Sequence, residues 1–384
     1  MANLLGVHLG GTNLVYYLAT DDGDILLQRT YPSPFRKTSR KLPGGEPEVL
    51  LDVVYLDIPL SERAAYYLLQ TEADFMKESK KQAAECRYKQ KGYSLGGKTW
   101  IQDGRIVMMG GNTPARFSAD LGKGKIGIVV ADDKEHIEAA NDGQAAATAQ
   151  GIYYKVKEGI EPSRTGYFIL GTGFGFGVPG YSAPMEIGHI PVGFMPALLW
   201  QSCGCNTDHK TACMENYISG RGIQKTTETL LALKENADLK RISECLLIDE
   251  AKEDLSKMAA ASKLRGKKRI DAKLVMDLAK QQTDALAVFV ANLAATITAQ
   301  AAVTAAHLFG LQKIGIGESV ARFNPWHIEK ITAKTEEYLK GNYIMKPPVI
   351  VEMTPVKEAS AYGALALVAP EKKYNIWAEK MKAA

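Results

Sequence analysis

Three cysteines and a histidine stand close enough in this sequence to share one metal ion. Cys203, Cys205 and Cys213 fall within eleven positions, and His189 lies a short way upstream in the segment MEIGHIPVGFMPALLWQSCGCNTDHKTACMENYISGRG, residues 185–222. Three thiolates and one imidazole make a closed tetrahedral zinc site, and a closed site is structural because it keeps no open position for a reacting ligand. His209, between Cys205 and Cys213, competes with His189 for the fourth position. Buried free thiols are the plainer alternative. The chain has five cysteines, the others being Cys86 and Cys245. An odd, clustered set points to metal binding in a reducing compartment, hence to a cytoplasmic protein, and not to a disulfide framework.

Carboxylates surround the same segment. Glu186 and Glu215, with Asn216, sit in stretches bounded by glycine and cysteine, not on a polar helix face. Carboxylates on a rigid loop suit the hydrogen bonds of vicinal sugar hydroxyls. A further carboxylate, Asp142, stands with Asn141 between the short run Ile137–Ala140 and an alanine-rich stretch. Phosphoryl transfer to a hydroxyl needs a carboxylate that orients and deprotonates the acceptor. The same position suits a helix N-cap, and spacing alone does not separate the two roles.

Two glycine turns complete the set. Gly10-Gly11-Thr12-Asn13 joins the apolar runs Leu4–Leu9 and Leu14–Ala19, and Gly171-Thr172-Gly173 joins Tyr167–Leu170 to Phe174–Val178. Glycines let backbone amides approach an anion and form a concave donor nest. Either turn alone is also an ordinary hairpin. Neither is a Walker loop, since no Gly-Lys-Ser/Thr follows, and no helix directly follows the first turn as a Rossmann fingerprint requires. Two such units, one per half, point to an internally duplicated α/β protein.

The elements that must hold these residues follow from pattern. Asp21–Asp24 is a second turn before the strand Ile25–Arg29. Ser61 can cap a helix through Ala64–Glu85, with Leu68, Leu69, Phe75 and Met76 on its buried face. Tyr93–Trp100 and the strand Arg105–Met109 flank a glycine turn, and Ile126–Val130 is a short β-branched run. After Glu215 the chain reads mostly helical, with one or two long helices over Lys273–Leu308. Lys313–Ile316 and Pro348–Met353 read as strands and Ala359–Val368 as a small-residue helix.

Composition bounds the function. The chain has 384 residues, 46% hydrophobic and 23% charged, enough for two ordinary domains with large cores. A net charge of +4 does not favour a nucleic-acid partner, and the basic run Lys263–Arg269 reads as solvated surface. The N-terminal stretch is too quickly glycine-rich for a signal peptide. Ala285–Ala306 carries no charge and is long enough to span a bilayer. Its Asn292, Gln300 and threonines, and its alanine content, fit a buried helix of a large core better.

Taken in order, these motifs resemble the ROK family (repressors, open reading frames and kinases) of the actin-like ATPase superfamily. Leu9–Asn13 is similar to its first phosphate loop, and Asn141-Asp142 to its catalytic Asn-Asp element. Glu186-x-Gly188-His189 is similar to its sugar motif. Cys203-Gly204-Cys205 with Cys213-x-Glu215, continued by Tyr217-x-Ser219-Gly220-Arg221-Gly222, is similar to its zinc and sugar segment. Weaker likenesses are Gly171–Gly173 to the second phosphate loop and Gly315-Ile316-Gly317-Glu318-Ser319 to the turn beside adenosine.

The resemblance implies a two-domain α/β actin-like (RNase H-like) fold with an interdomain active-site cleft. The smaller domain would span residues 1–140, with an insertion in about 36–109 and a C-terminal helix (about 366–384) packed back on it. The larger, residues 141–365, would carry the zinc site and the long helices. It further implies ATP- and Mg2+-dependent phosphorylation of a hexose or N-acetylhexosamine, as in glucokinase-like enzymes, with Asp142 as the base. Asn112, Asn141, Asp142, Glu186, His189 and Glu215 would bind the sugar. Gly10, Gly11, Thr12, Asn13, Gly171, Thr172, Gly173, Gly315 and Gly317 would bind ATP. His189, Cys203, Cys205 and Cys213 would bind a structural Zn2+. The partners are then a sugar and ATP, with no nucleic acid and no membrane, and the family's frequent dimers leave a homodimer open.

Three departures from the family pattern stand out. His8 occupies the position where the family usually has an Asp that helps hold magnesium, and magnesium prefers oxygen ligands. The Cys205–Cys213 spacing is longer than usual, which encloses His209, and the 36–109 stretch is also longer. His8 leaves a second reading: a sugar-binding pseudokinase or sensor that keeps the pocket and has lost proper magnesium binding. A family repressor fits less well, because no DNA-binding unit precedes Leu4.

Overall fold

The protein is described by a computed structural model. It covers all residues except 1–2, 61, 83–87, 103–104, 110–124, 131–135, 182–184, 194, 196–198, 200–211, 234–237, 240–241, 243–253, 341–348 and 383–384. The chain forms two compact units, one of residues 1–163, 177–185 and 355–384, the other of 164–176 and 186–354.

The first unit is built on a five-stranded sheet. Strands β1 (Asn3–Leu9), β2 (Asn13–Thr20) and β3 (Ile25–Pro32) form an antiparallel meander, as the two turn signals require. On the other side of β1 lies β6 (Tyr88–Leu95), parallel to it, and beyond that β10 (His136–Asn141), parallel to β6. Strand β6 falls inside the stretch 36–109 expected to be an insertion. That stretch also comprises the small pair β4 (Lys37–Lys41) and β5 (Pro47–Val49) and the helices α1 (Leu50–Val53) and α2 (Arg63–Gln82). It also includes an antiparallel sheet of β7 (Lys98–Gln102), β8 (Arg105–Met109) and, beyond the insertion, β9 (Lys125–Val130).

Helix α2 closes one face of the large sheet. Phe75 stacks on Tyr16 of β2 at 5.4 Å between ring centres, and the Tyr16 hydroxyl donates to the Leu68 carbonyl at 3.0 Å. The opposite face is covered by α3 (Asp142–Glu158) and α11 (Ala359–Ala366), which pack on one another, with α11 also on β1 and β6. The approach is too close for side chains. A Cβ on Gly92 of β6 would stand 1.8 Å from the Ala364 carbonyl oxygen, and one on Gly363 would stand 2.4 Å from the Ala145 backbone carbon. Because α3 is fastened to α11 in this way, the expected boundary at 140/141 falls instead at 163/164, and α3 belongs to the first unit. The last helix, α12 (Tyr374–Met381), lies in the same unit, its Trp377 Nε1 donating to the Asp21 carbonyl at 3.0 Å.

The second unit carries a four-stranded sheet in the order β12 (Phe174–Gly177), β11 (Thr165–Leu170), β13 (Lys313–Gly317), β14 (Ile350–Met353), with β13 parallel to β11 and β14 parallel to β13. Each unit thus sets a strand–glycine turn–strand element beside two crossover strands parallel to its first strand, which is the duplication the two turns announced. Helices α4 (Glu215–Ile218), α5 (Gly220–Ala232), α6 (Leu255–Ala261), α7 (Ala272–Lys280), α8 (Ala285–Phe309), α9 (Ser319–Phe323) and α10 (Pro325–Leu339) complete it.

The long helical stretch breaks where Asp284 caps α8, its carboxylate accepting from Ala287 N at 3.0 Å and from Lys263 N at 2.7 Å. Helix α8 is long and apolar enough to cross a membrane, but 83% of its apolar window is buried inside the protein. It is therefore a core helix, and its Asn292 accepts from Lys330 Nζ of α10 at 2.6 Å.

Replacing Gly92 by Ala is expected to destabilise the protein by about 2 kcal/mol or more, because the Ala364 backbone must move to admit the methyl. Denaturant titration checks this, and an unchanged midpoint would mean that the α11–sheet approach is loose.

Candidate active site

In the first unit the residues expected to do chemistry gather at one edge of the sheet. Leu9 pairs with Leu95, and Leu95 with Asn141, so β1, β6 and β10 end in one row. The row is continued by Gly10, by Gly96 and by Asp142. In open α/β sheets ligands bind at the carboxyl ends of parallel strands, where helix N-termini and glycine turns leave backbone polar groups exposed. Gly96 N donates to the Leu9 carbonyl at 2.9 Å, and a Cβ on Gly96 would stand 3.5 Å from Asp142 Oδ2 and 3.8 Å from Gly10 Cα. Gly96 therefore lies between the first glycine turn and the Asp142 carboxylate.

Asn141, not Asp142, is the N-cap of α3. Its Oδ1 accepts from Gly143 N at 2.9 Å, and its Nδ2 donates to the Gly97 carbonyl at 2.8 Å. Asn141 is buried and both ends of its amide hold the β6–β7 turn against the helix start. Asp142, in the first helical turn, is partly exposed, and its Oδ1 also accepts from Gly143 N at 2.9 Å. In the first turn, Gly10 N donates to the Asn13 carbonyl at 2.9 Å, and the Thr12 and Asn13 side chains are exposed.

His8 lies under this turn. Its Nδ1 is 3.1 Å from Ser94 Oγ, and its Nε2 would be 3.5 Å from a Cβ on Gly10. Burial lowers its pKa from 6.5 to about 4, so the imidazole is neutral at physiological pH. The first turn therefore offers a neutral ring nitrogen where a carboxylate would supply an oxygen for magnesium.

In the second unit three distant segments converge on Phe174 and Glu215. Glu215 Oε2 accepts from Phe174 N at 3.0 Å, and its Oε1 is 3.3 Å from Arg221 Nη2. A Cβ on Gly173 would meet Glu215 Oε2 at 3.0 Å. At the other end of the turn, Gly220 N donates to the Gly171 carbonyl at 2.8 Å. The segment of Glu186 and His189 packs on the same pair: a Cβ on Gly188 would stand 2.8 Å from the Phe174 carbonyl oxygen and 3.6 Å from Glu215 Cβ.

The segments that carry His189 and Cys213 meet: His189 ends the 3-10 turn Ile187–His189, and Cys213 lies in an isolated bridge. Pro191 and Cys213 form an antiparallel bridge, and Met214 N donates to the Ile190 carbonyl at 3.1 Å. His189 Nε2 faces Glu186 Oε2 at 3.7 Å, while its Nδ1 is buried with no hydrogen-bond partner among the described residues. Cys213 is 2% exposed, and burial, then the Glu215 charge, raise its thiol pKa. A buried imidazole nitrogen and a buried thiol on adjoining segments suit a divalent cation such as zinc. Among the described residues there is no cluster of three or more metal-binding side chains. Cys203, Cys205 and His209 lie outside the described residues, as does Asn112.

The adenosine-side glycines separate. Gly315 is in the middle of β13, paired with Tyr167 and Glu352, so it belongs to the ladder and not to a turn. Gly317 ends β13, and a Cβ there would stand 1.9 Å from the Tyr167 hydroxyl, so its lack of a side chain serves packing. The turn proper is at Glu318, whose φ of +75° puts a non-glycine residue in sparsely populated backbone space. It approaches the second glycine turn, since a Cβ on Gly171 would lie 3.6 Å from Glu318 Cβ. Sequence reasoning gave no role to Gly96-Gly97, for which the glycine pair just after an apolar strand was the available signal, and it included Arg221 in the zinc and sugar segment without assigning it a role of its own.

The fold is that of the actin-like ATPases. A ROK family glucokinase from Streptomyces griseus, solved with glucose and AMPPNP, is 20% identical with a TM-score of 0.56, over 96% of this chain and 99% of that one. A ROK hexokinase from Thermus thermophilus is 17% identical with a TM-score of 0.53, over 95% and 98%. A ROK family transcriptional regulator, a homolog of the E. coli MLC protein, is 15% identical with a TM-score of 0.62, over 99% and 80%. No curated protein sequence matches the chain. The ROK family model matches residues 128–371, and the chain belongs to the ROK family.

Two histidines with lowered pKa make stability depend on pH. His8, and His327, whose pKa burial and then Lys330 lower to about 4, are neutral in the folded protein and take up protons near 6.5 once unfolded. Between these values the unfolded state binds more protons, so stability falls as pH drops from 6.5 towards 4. Thermal melts across this window are expected to lose roughly half of that slope in His8→Asn, the rest remaining with His327. An unchanged slope would mean that His8 is solvated.

Proposed function

We propose that the chain is an ATP-dependent sugar kinase that phosphorylates a hydroxyl of a hexose or N-acetylhexosamine, with Asp142 as the general base. The observation that carries this reading is the row of Gly10, Gly96 and Asp142 at the ends of three adjacent parallel strands. It sets a carboxylate beside a glycine turn suited to phosphates. Membership of a family whose solved members include a glucokinase with glucose and AMPPNP supports it.

In the reaction the acceptor hydroxyl gives its proton to Asp142. Its oxygen forms a bond to the γ-phosphorus as the bond to the β–γ bridging oxygen breaks, and ADP leaves. Asn141 fixes the backbone that carries Asp142 through its bonds to Gly143 and Gly97. Glu186, His189 and Glu215, with Asn112, are proposed to hold the remaining hydroxyls. The turns Gly10–Asn13 and Gly171–Gly173, with the Gly315–Gly317 segment, are proposed to hold ATP. Magnesium enters with ATP, and His8, which offers no oxygen, is not assigned as its ligand.

His189, Cys203, Cys205 and Cys213 are proposed to bind zinc. When bound, the metal would lock the Cys213 segment to the Glu186–His189 segment and fix the tautomer of His189. The buried Nδ1 of His189 supports this ligand set, with Nε2 left to Glu186 and the sugar. A second reading, a sugar-binding sensor without turnover, is favoured by one observation: the neutral imidazole of His8 under the first turn.

A coupled assay with ATP, magnesium and a panel of hexoses and hexosamines separates the two. Turnover with at least one sugar is expected, and Asp142→Asn should lower kcat by about 10²–10⁴-fold with sugar binding retained. Sugar binding without turnover in the wild type would sink the kinase reading in favour of the sensor. For the metal, elemental analysis is expected to find about one zinc per chain, lost in Cys213→Ser and His189→Ala but kept in His209→Ala. Loss in His209→Ala alone among the two histidine variants would move the fourth ligand to His209.

A further inference from the structure

We infer that Arg221 and Glu215 form a positioning pair through which sugar binding orders the second glycine turn, so that sugar and nucleotide bind with positive coupling. The inference rests on the sugar-kinase reading and adds to it a residue, Arg221, and a direction of coupling.

The two oxygens of Glu215 have separate tasks. Oε2 accepts from Phe174 N at 3.0 Å, directly after the turn Gly171–Gly173, in a space that exists only because residue 173 has no side chain. Oε1 is 3.3 Å from Arg221 Nη2. The carboxylate is 14% exposed and the Arg221 side chain 53%, so one partner of Glu215 is a fixed backbone amide and the other a half-solvated guanidinium. A half-exposed ion pair holds its geometry weakly. The carboxylate, and with it the Phe174 end of the turn, is therefore incompletely fixed when the sugar site is empty.

The other end of the turn is held by the same stretch of chain. Gly220, the residue before Arg221, donates its amide to the Gly171 carbonyl at 2.8 Å. The segment of Glu186 and His189 contacts the same two residues, because Gly188 leaves it against the Phe174 carbonyl and Glu215 Cβ. Residues proposed to hold sugar hydroxyls and the turn proposed to hold phosphate thus share Phe174 and Glu215.

A sugar hydroxyl donating to Glu215 restricts the carboxylate as Arg221 does, but from within the site. The turn is then already ordered when phosphate arrives, and less ordering entropy opposes nucleotide binding. Arg221 performs this task partly in the absence of sugar. Its removal should therefore weaken nucleotide binding to the empty protein and much less to the sugar-loaded protein. A side chain that contacted the nucleotide directly would matter equally in both states.

The test is calorimetric titration of the full-length protein with AMPPNP, alone and with saturating D-glucose, or with N-acetylmannosamine if glucose does not bind. In the wild type the sugar should tighten AMPPNP binding about fivefold or more. Arg221→Ala should weaken AMPPNP about tenfold without sugar and less than about threefold with it, and Arg221→Lys should recover most of the loss. Equal weakening in both states overturns the inference, as does no change in either. Failure of the underlying reading looks different: the wild type then binds no tested sugar, or no AMPPNP, before any variant is compared.

Discussion

The first unit depends on a backbone approach that leaves no room for side chains. Helix α11 lies so close to β6 that the Ala364 carbonyl occupies the space of a Cβ on Gly92, and Gly363 brings it equally close to α3 at Ala145. Close packing of this kind fixes a helix in both height and rotation, since neither can change without a clash. Helix α3 begins at Asp142, so the carboxylate inherits that placement. Asn141 then holds the first helical amide and the Gly97 carbonyl together, which sets the β6 turn beside Asp142. The position of the proposed base is thus determined by glycines far from it in sequence.

The second unit solves a related problem with a charge. Its glycine turn is secured not by a capping amide but by the Glu215 carboxylate at one end and the Gly220 amide at the other. Both units place a glycine turn beside crossover strands parallel to the first strand. In the second, the Glu215 carboxylate bonds the Phe174 amide at the end of the turn directly. The duplication therefore gives two similar frames whose glycine turns are secured by different groups.

Much of this was legible in the chain itself. Both glycine turns, the meander β1–β3, the core helix α8 and the Glu-x-Gly-His segment were readable, because each rests on local pattern: apolar runs, turn glycines and capping aspartates. What was not legible depends on partners distant in sequence. Tyr88–Leu95 lies inside the 36–109 stretch expected from its length to be an insertion, and Lys89, Gln90 and Lys91 interrupt the apolar pattern that would mark a central strand. Asn and Asp are both good caps, so sequence alone does not choose between Asn141 and Asp142; the cap is Asn141, whose Oδ1 takes the Gly143 amide, and its Nδ2 is held by the Gly97 carbonyl of the turn after β6. The strand reading of Lys313–Ile316 holds and the ladder continues to Gly317, so the turn that the resemblance implies at Gly315 begins only at Glu318. Glu215 was expected to face only hydroxyls, and nothing in its own segment announces the Phe174 amide.

The central claim is that Asp142 and the glycine turns serve transfer of the γ-phosphoryl group of ATP to a sugar hydroxyl. The most direct measurement is phosphorus NMR of the purified protein with ATP, magnesium and each of a set of hexoses and N-acetylhexosamines. The account predicts a new sugar-phosphate monoester resonance growing in step with ADP, for at least one sugar and not without sugar. Loss of ATP to inorganic phosphate independent of sugar, or no loss of ATP with any sugar, would contradict it.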